Sequence, residues 1–458
     1  MKFLNEDRIL TNEAGIYRKL RSDALSILGS ALDAVDPRKA IYDNVKVEGS
    51  NLFVEGKTYD LRFRRIFLVG GGKAGGLMAE AVEHLIGDRL TGGVVNILKG
   101  TEDNYHAPHV KFVGASHPVP NESGTRGVEE MLSRVTGLTG MDLVIVIISG
   151  GGSALMPSPA VGIELDDLQV ITGKLLKRGA TINDLNAVRK HLDSFKGGQL
   201  AKFCQPAEVL SLILSDVIGD PLDTIASGPT APDSTTWADA KDVLVKYDSW
   251  NDAPEAIRRR IERGLAGEIP DTPKADDPVF KKTRNVIVAN NSYAAEAASK
   301  KATELGYSSM VLSTMVEGEA RHVGGVYGGI AREIAAKGRP IGAPAAIIIG
   351  GETTVDVKGS GKGGRNQEVA LGAAKSIAGT PCLVASLATD GLDGPTDSAG
   401  AIVDGATSGK ITKLNLSIDN TLRENDAYHL FEITGDLLLT GPTGTNVNDL
   451  ALILVARE

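Results

Sequence analysis

Arg65-Ile-Phe-Leu-Val-Gly-Gly-Gly-Lys-Ala-Gly-Gly-Leu-Met-Ala-Glu-Ala-Val-Glu-His-Leu, residues 65–85, is the stretch that decides the fold. Its unbroken apolar start is the mark of a strand buried on both faces. The glycines turn the chain, and Leu77 opens a helical pattern. A strand that enters a helix through a short glycine turn is one unit of a mostly parallel α/β sheet.

The same alternation recurs downstream. Gly93-Val-Val-Asn-Ile-Leu, Asp142-Leu-Val-Ile-Val-Ile-Ile and Glu208-Val-Leu-Ser-Leu-Ile-Leu read as strands. Helices are expected near 125–132, 166–177 and 183–204, and His106, His109 and His117 fall in a loop. Upstream, Ala14, Tyr17, Leu20, Ala24, Leu25, Ile27, Leu28, Ala31 and Leu32 recur at helical spacing. Leu52-Phe-Val suits a short strand or hairpin. Residues 248–282 carry Pro254, Pro270, Pro273 and Pro278, which predicts an exposed helix at 253–264 and then a linker. Beyond it the pattern restarts, with strands at 285–290, 310–313, 345–352, 382–388 and 450–453. Helices are expected there at 293–304, 321–336, 366–378, 406–414 and 417–425. The expectation is two α/β domains, 38–265 and 283–458, with 1–37 a helical segment that either could claim.

Composition narrows the function. A formal charge of −9 argues against nucleic acid or an anionic membrane as partner. Aromatics are only 4%, so the core is built from Ala, Val, Leu and Ile. Cys204 and Cys382 form no CxxC and read as buried thiols. The start MKFLNEDRIL has no signal-peptide core, and no apolar run reaches membrane-spanning length, so the expected location is the cytoplasm.

In open α/β sheets ligands lie beyond the C-terminal ends of the strands. Lys73, Ser149, Ser153, Asp216, Asn290, Asn291, Glu352 and Asp390 all fall there, which points to an interdomain site. In 70–76, Gly71 and Gly72 let the backbone approach an anion, and Lys73 adds a cation. The string is neither G-x-G-x-x-G nor a Walker A loop. Ser149-Gly150-Gly151-Gly152-Ser153 repeats the logic for a phosphate or carboxylate. A serine nucleophile is the rival reading, but the string is not G-x-S-x-G. Arg189, Lys190 and Lys196 form a basic patch that meets a phosphate or simply faces solvent, and His191 beside them is a lone histidine. Asp216 and Asp220 resemble magnesium ligands. Residues 359–368, with Lys362, Arg365 and Asn366, read as a flexible loop able to close on a triphosphate. Asp390, Asp393 and Asp397 crowd one further loop, Asp390 being the best candidate because it ends a strand.

Together these strings resemble the class II glycerate 2-kinases, whose C-terminal part is the MOFRL domain. The resemblance runs from about residue 13 to the C-terminus. It rests on GGGKAGG (70–76), SGGGSAL (149–155), NAVRKHLDSFKGGQLA (186–201) and SDVIGDPLDTIASGPT (215–230). GGETTV (350–355), GKGGRNQE (361–368), ATDGLDGPTD (388–397) and GPTGTNVNDL (441–450) complete it. The resemblance implies an N-terminal Rossmann-like domain, a smaller C-terminal α/β domain and an active site in their cleft. It implies transfer of a phosphoryl from ATP, with Mg²⁺, to (R)-glycerate, giving 2-phosphoglycerate. It makes Lys73 and Arg365 the active-site cations, with Asp216 or Asp390 near the metal or accepting the hydroxyl proton. The backbone of 150–153 is the candidate holder of the glycerate carboxylate, and a monomer or homodimer is expected. Some members carry the name hydroxypyruvate reductase, an activity for which this chain lacks the dinucleotide fingerprint. A non-catalytic sugar-acid binding protein is the third reading.

Overall fold

The computed structural model describes residues 2–11 and 15–457, so Ala14 of the expected first helix lies outside the described residues. The chain divides into two compact units, Pro37–Val288 and Ala289–Glu458, the latter joined by Met1–Asp36. Among the described residues no helix is long and apolar enough to cross a membrane.

In the first unit, Ile66–Gly71 is buried at every position. It pairs in parallel with Leu90–Leu98 on one side and Leu143–Ile148 on the other. Val110–Ala115 extends the first side and Glu208–Leu214 the second, again in parallel. Thr283–Ala289 lies beyond Glu208–Leu214 at the edge. The chain thus lays three strands outward one way, returns to the centre, and continues the other way. The reversal falls between Ile66–Gly71 and Leu143–Ile148, where such a sheet leaves a crevice at its C-terminal edge. A separate antiparallel meander is made by Val45–Glu48, Asn51–Val54 and Lys57–Asp60.

Three expectations change here. Val110–Ala115 is an edge strand, not loop; its half-exposed pattern hides it from a search for apolar runs. The proline-rich span is no linker. Helix Glu255–Leu265 buries Ile257 and Ile261 in a core with Trp237 and Leu244. Thr272 is buried and donates to Asp233 at 2.9 Å. The strand expected to open the second domain instead closes the first sheet, so the division falls at 288/289 rather than within 266–282. Prolines mark where the backbone turns, not whether the turning segment is packed.

The second unit holds a mixed sheet in the order Ser308–Glu319, Ala345–Thr354, Asp449–Val455, Cys382–Ala388, Gly400–Asp404, Leu437–Leu438. Its first two strands pair in parallel and every later pairing is antiparallel. The last long strand is therefore central and fully buried. Gly400–Asp404 and helix Ala427–Thr434 were not expected from the sequence. Helix Gly15–Ala34 packs on Asn291–Glu304, whose buried face is Ala294, Ala295, Ala298 and Ala302. These small side chains let the two helices approach closely. Arg21 is wholly buried and bonds Asp404 at 2.6 Å and Asp436 at 2.8 Å, so the N-terminal segment belongs with the C-terminal unit.

Candidate active site

The glycine turn after Ile66–Gly71 enters helix Gly75–Ile86 and is tied to the loop of the neighbouring strand. Lys73 N–H donates to the Gly150 carbonyl at 2.8 Å, and Ala74 N–H to the Ser149 hydroxyl at 3.0 Å. At Gly72, with φ 140°, a Cβ would stand 2.1 Å from Ser149 Oγ, so no larger residue fits. Gly151, with φ 81°, passes the chain into the short helix Gly152–Leu155. The Asp216 carboxylate lies against Gly150, where a Cβ would meet Oδ2 at 2.1 Å. Lys73 and His117 both lie against Gly151, where a Cβ would stand 3.2 Å from Lys73 Cγ and 3.1 Å from His117 Cδ2. Three side chains from three segments therefore meet over residues 150–151.

A cavity of about 320 Å³ opens at this point, lined by His117, Ser153, Arg189, Asp193, Lys196 and Asp216 among others. Burial, then the Lys73 charge, pushes the His117 imidazole below its ordinary pKa. Burial also lowers Arg189, against the pull of Asp193. Lys196 is lowered by burial and bonds Asp193 and the Met156 carbonyl, each at 2.7 Å. Its charge is thus engaged internally, as is that of Lys190, which spans Asp223 and Asp233 at 3.2 Å. Among the described residues no ion pair joins a carboxylate to the Lys73 ammonium or to the Arg189 guanidinium. His191 is a brace, held by the Ala187 carbonyl at 2.7 Å and Asp271 at 2.9 Å. Ser153 Oγ meets Ser227 Oγ at 2.8 Å, and Ser227 donates to Asn186. A nucleophilic serine needs an adjacent base; Ser153 has a second serine instead.

In the second unit Arg365 opens helix Arg365–Ala374. Its Nε and Nη2 donate to the Asp449 carboxylate at 2.6 Å and 2.8 Å, and Nη1 lies 3.0 Å from Glu352 Oε1. Burial lowers and Asp449 raises the Arg365 pKa, with a net rise. Glu352 is pushed up by burial against Arg365, and accepts from Asn448 at 2.9 Å. Arg365, Glu352, Thr354 and Val355 help to line a cavity of about 560 Å³.

Several expected ligand groups are engaged elsewhere. The loop 359–364 is not a free flap. Lys358 and Gly359 N–H donate to Asn425 Oδ1, Gly361 N–H to the Glu424 carbonyl, and Lys362 N–H to Asp426. The Lys362 ammonium sits 4.1 Å over the Tyr428 ring. Asn366 is fully buried between Ser386 and Asp393. Asn291 donates to the carbonyls of Val447 and Asp449. Of the three clustered aspartates, Asp393 caps Arg365–Ala374 by accepting from Asn366 and Gln367 N–H, and Asp397 accepts from Tyr428. Asp390 stays at the strand end, accepting from Leu392 N–H at 3.0 Å. Asp449 was missed in the sequence. Its signal is an acid heading a strand that must be buried, since such a charge demands a partner.

Among the described residues no group of three or more His, Cys, Asp or Glu forms a metal cage. Asp216 follows Glu208–Leu214 in the first unit and Asp390 follows Cys382–Ala388 in the second, and each carries the hard oxygen donors that Mg²⁺ takes.

A domain-of-unknown-function model, DUF4147, matches residues 23–262, and the MOFRL family model matches 345–449. A glycerate 2-kinase of Pyrococcus horikoshii is 41% identical, over 97% of this chain and 99% of that protein. A protein of Agrobacterium vitis with a provisional hydroxypyruvate reductase name is 39% identical, over 98% of this chain and 96% of its own. The crystal structure of glycerate kinase from Thermotoga maritima superposes with a TM-score of 0.85 at 38% identity, covering 96% of this chain and 100% of that one. The chain belongs to the glycerate 2-kinase family.

Proposed function

We propose that this protein transfers the γ-phosphoryl of ATP to the 2-hydroxyl of (R)-glycerate, forming 2-phosphoglycerate and ADP. The observation that carries this reading is the pair of glycine turns at the sheet's reversal point, with the Lys73 side chain against Gly151 and Asp216 against Gly150. Backbone N–H groups at such turns suit anions. The strand order supports a Rossmann-like reading of the first unit. The glycerate oxygen forms the new bond to phosphorus, the bond to the β–γ bridging oxygen breaks with its electron pair leaving on ADP, and the hydroxyl proton passes to a carboxylate, that of Asp216 or Asp390. Lys73 and Arg365 stabilise charge on the transferred group. Arg189 and the backbone of 150–153 hold the glycerate carboxylate. The other of Asp216 and Asp390 would supply an oxygen to Mg²⁺, which would neutralise phosphate charge.

The test is ADP release with Mg²⁺-ATP and glycerate, run beside NADH oxidation with hydroxypyruvate. ADP release that needs both glycerate and Mg²⁺ is expected. NADH turnover without ADP release would replace the kinase with a reductase. Saturable glycerate binding without either activity would make the protein a sensor.

A further inference from the structure

The Arg365 guanidinium has two unequal partners. Asp449 grips the Nε/Nη2 edge with two short bonds, and its side chain is only 9% exposed. Glu352 meets only Nη1, at 3.0 Å, and is 43% exposed. Asp449 is also the stiffer support. It heads the central strand, in register with Gly351 on one side and Ala388 on the other. Its carbonyl accepts from Asn291. If Arg365 left, the Asp449 carboxylate would be stranded in a desolvated site, whereas Glu352 would gain water. An arriving phosphoryl oxygen therefore competes with Glu352 for Nη1 and leaves the Asp449 edge intact.

We propose that Asp449 is the positioning residue of Arg365, fixing its Nε/Nη2 edge so that Nη1, covered in the free protein by the exchangeable Glu352, is the edge offered to the phosphoryl group. This rests on the reading of Arg365 as a phosphoryl-binding residue. A misplacement of about 1 Å at a reacting centre costs on the order of 10²-fold in rate. Lysine has no planar edge for a carboxylate to hold.

The test is a double-mutant cycle on glycerate-dependent ADP release, using Asp449→Asn, Arg365→Lys and the double variant, with circular dichroism for folding. Asp449→Asn is expected to lower kcat roughly 10- to 100-fold while KM for glycerate changes by less than about threefold. In the Arg365→Lys background the same change should cost less than about twofold, because there is no edge left to position. A purely structural Asp449 predicts equal losses in both backgrounds, and that result overturns the proposal, as does normal kcat in folded Asp449→Asn. Should Asp449→Asn not fold, Asp449→Glu keeps the charge, shifts the carboxylate by one methylene, and runs the same cycle with the same two outcomes. Normal kcat in Arg365→Lys alone overturns the reading of Arg365 and this proposal with it; additive losses overturn the positioning alone.

Discussion

Lys73 and its neighbours show how one charge is kept available. Lys190 and Lys196 carry the same side chain, yet each is bound to a buried aspartate, whereas the Lys73 side chain lies against Gly151 beside His117, whose imidazole burial holds below its ordinary pKa. A cation acting on the transferred phosphoryl matters more in the transition state than in the ground state. Lys73→Ala is therefore expected to lower kcat by roughly 10²-fold with the fold intact by circular dichroism. Lys73→Arg should recover only part of it, since a planar fork does not replace a compact ammonium. Near-normal kcat in folded Lys73→Ala would remove Lys73 from catalysis. A raised KM for glycerate alone would instead place it on the substrate carboxylate.

Helix Arg365–Ala374 depends on a cap that comes from another segment. Gly364 precedes it without a side chain of its own, and the Asp393 carboxylate occupies the place a Cβ would take, 2.2 Å from Cγ. Asp393→Ala should lower stability by about 1 kcal/mol through loss of the cap, and should also loosen Arg365 at the helix start. Burial pushes the Asp393 carboxyl up to about 7, against the backbone bonds that favour its charged form. Between the ordinary carboxylate range and pH 7 the unfolded chain has lost this proton while the folded chain keeps it. Stability from this group therefore falls as pH rises through that window and is level above it. Thermal midpoints of wild type and Asp393→Asn should diverge between about pH 4 and about pH 7 and run parallel above that range. Parallel curves throughout would mean the carboxylate is ionised across the window.

At the scale of the molecule, the second unit is assembled from both ends of the chain. Arg21 reaches Asp404 and Asp436 across 383 and 415 residues of sequence. Breaking one partner of a buried ion cluster costs about 3–5 kcal/mol, because the remaining charges stay buried. Arg21→Ala should thus unfold the second unit early in urea. Hydrogen exchange should show lost protection in Asn291–Glu304 and Gly400–Asp404, with Ile66–Gly71 and Leu143–Ile148 unchanged. Equal loss in both units would contradict the division of the chain described above.

The sequence alone determined most strands of the first sheet, the glycine turns at their ends and the family motifs, because each is a local signal. Apolar runs, glycine clusters and helical periods are readable within about ten residues. Long-range pairing was not readable. It decided that residues 283–288 close the first sheet, that the N-terminal helix joins the C-terminal unit, and that Lys196, Asn291, Asn366 and Lys362 are tied internally. It also decided that Arg365 is held by Asp449, 84 residues away. Residue type tells which side chains can bind a phosphate. Whether a given charge is still unpaired depends on what the fold buries beside it, and that is a property of the tertiary structure.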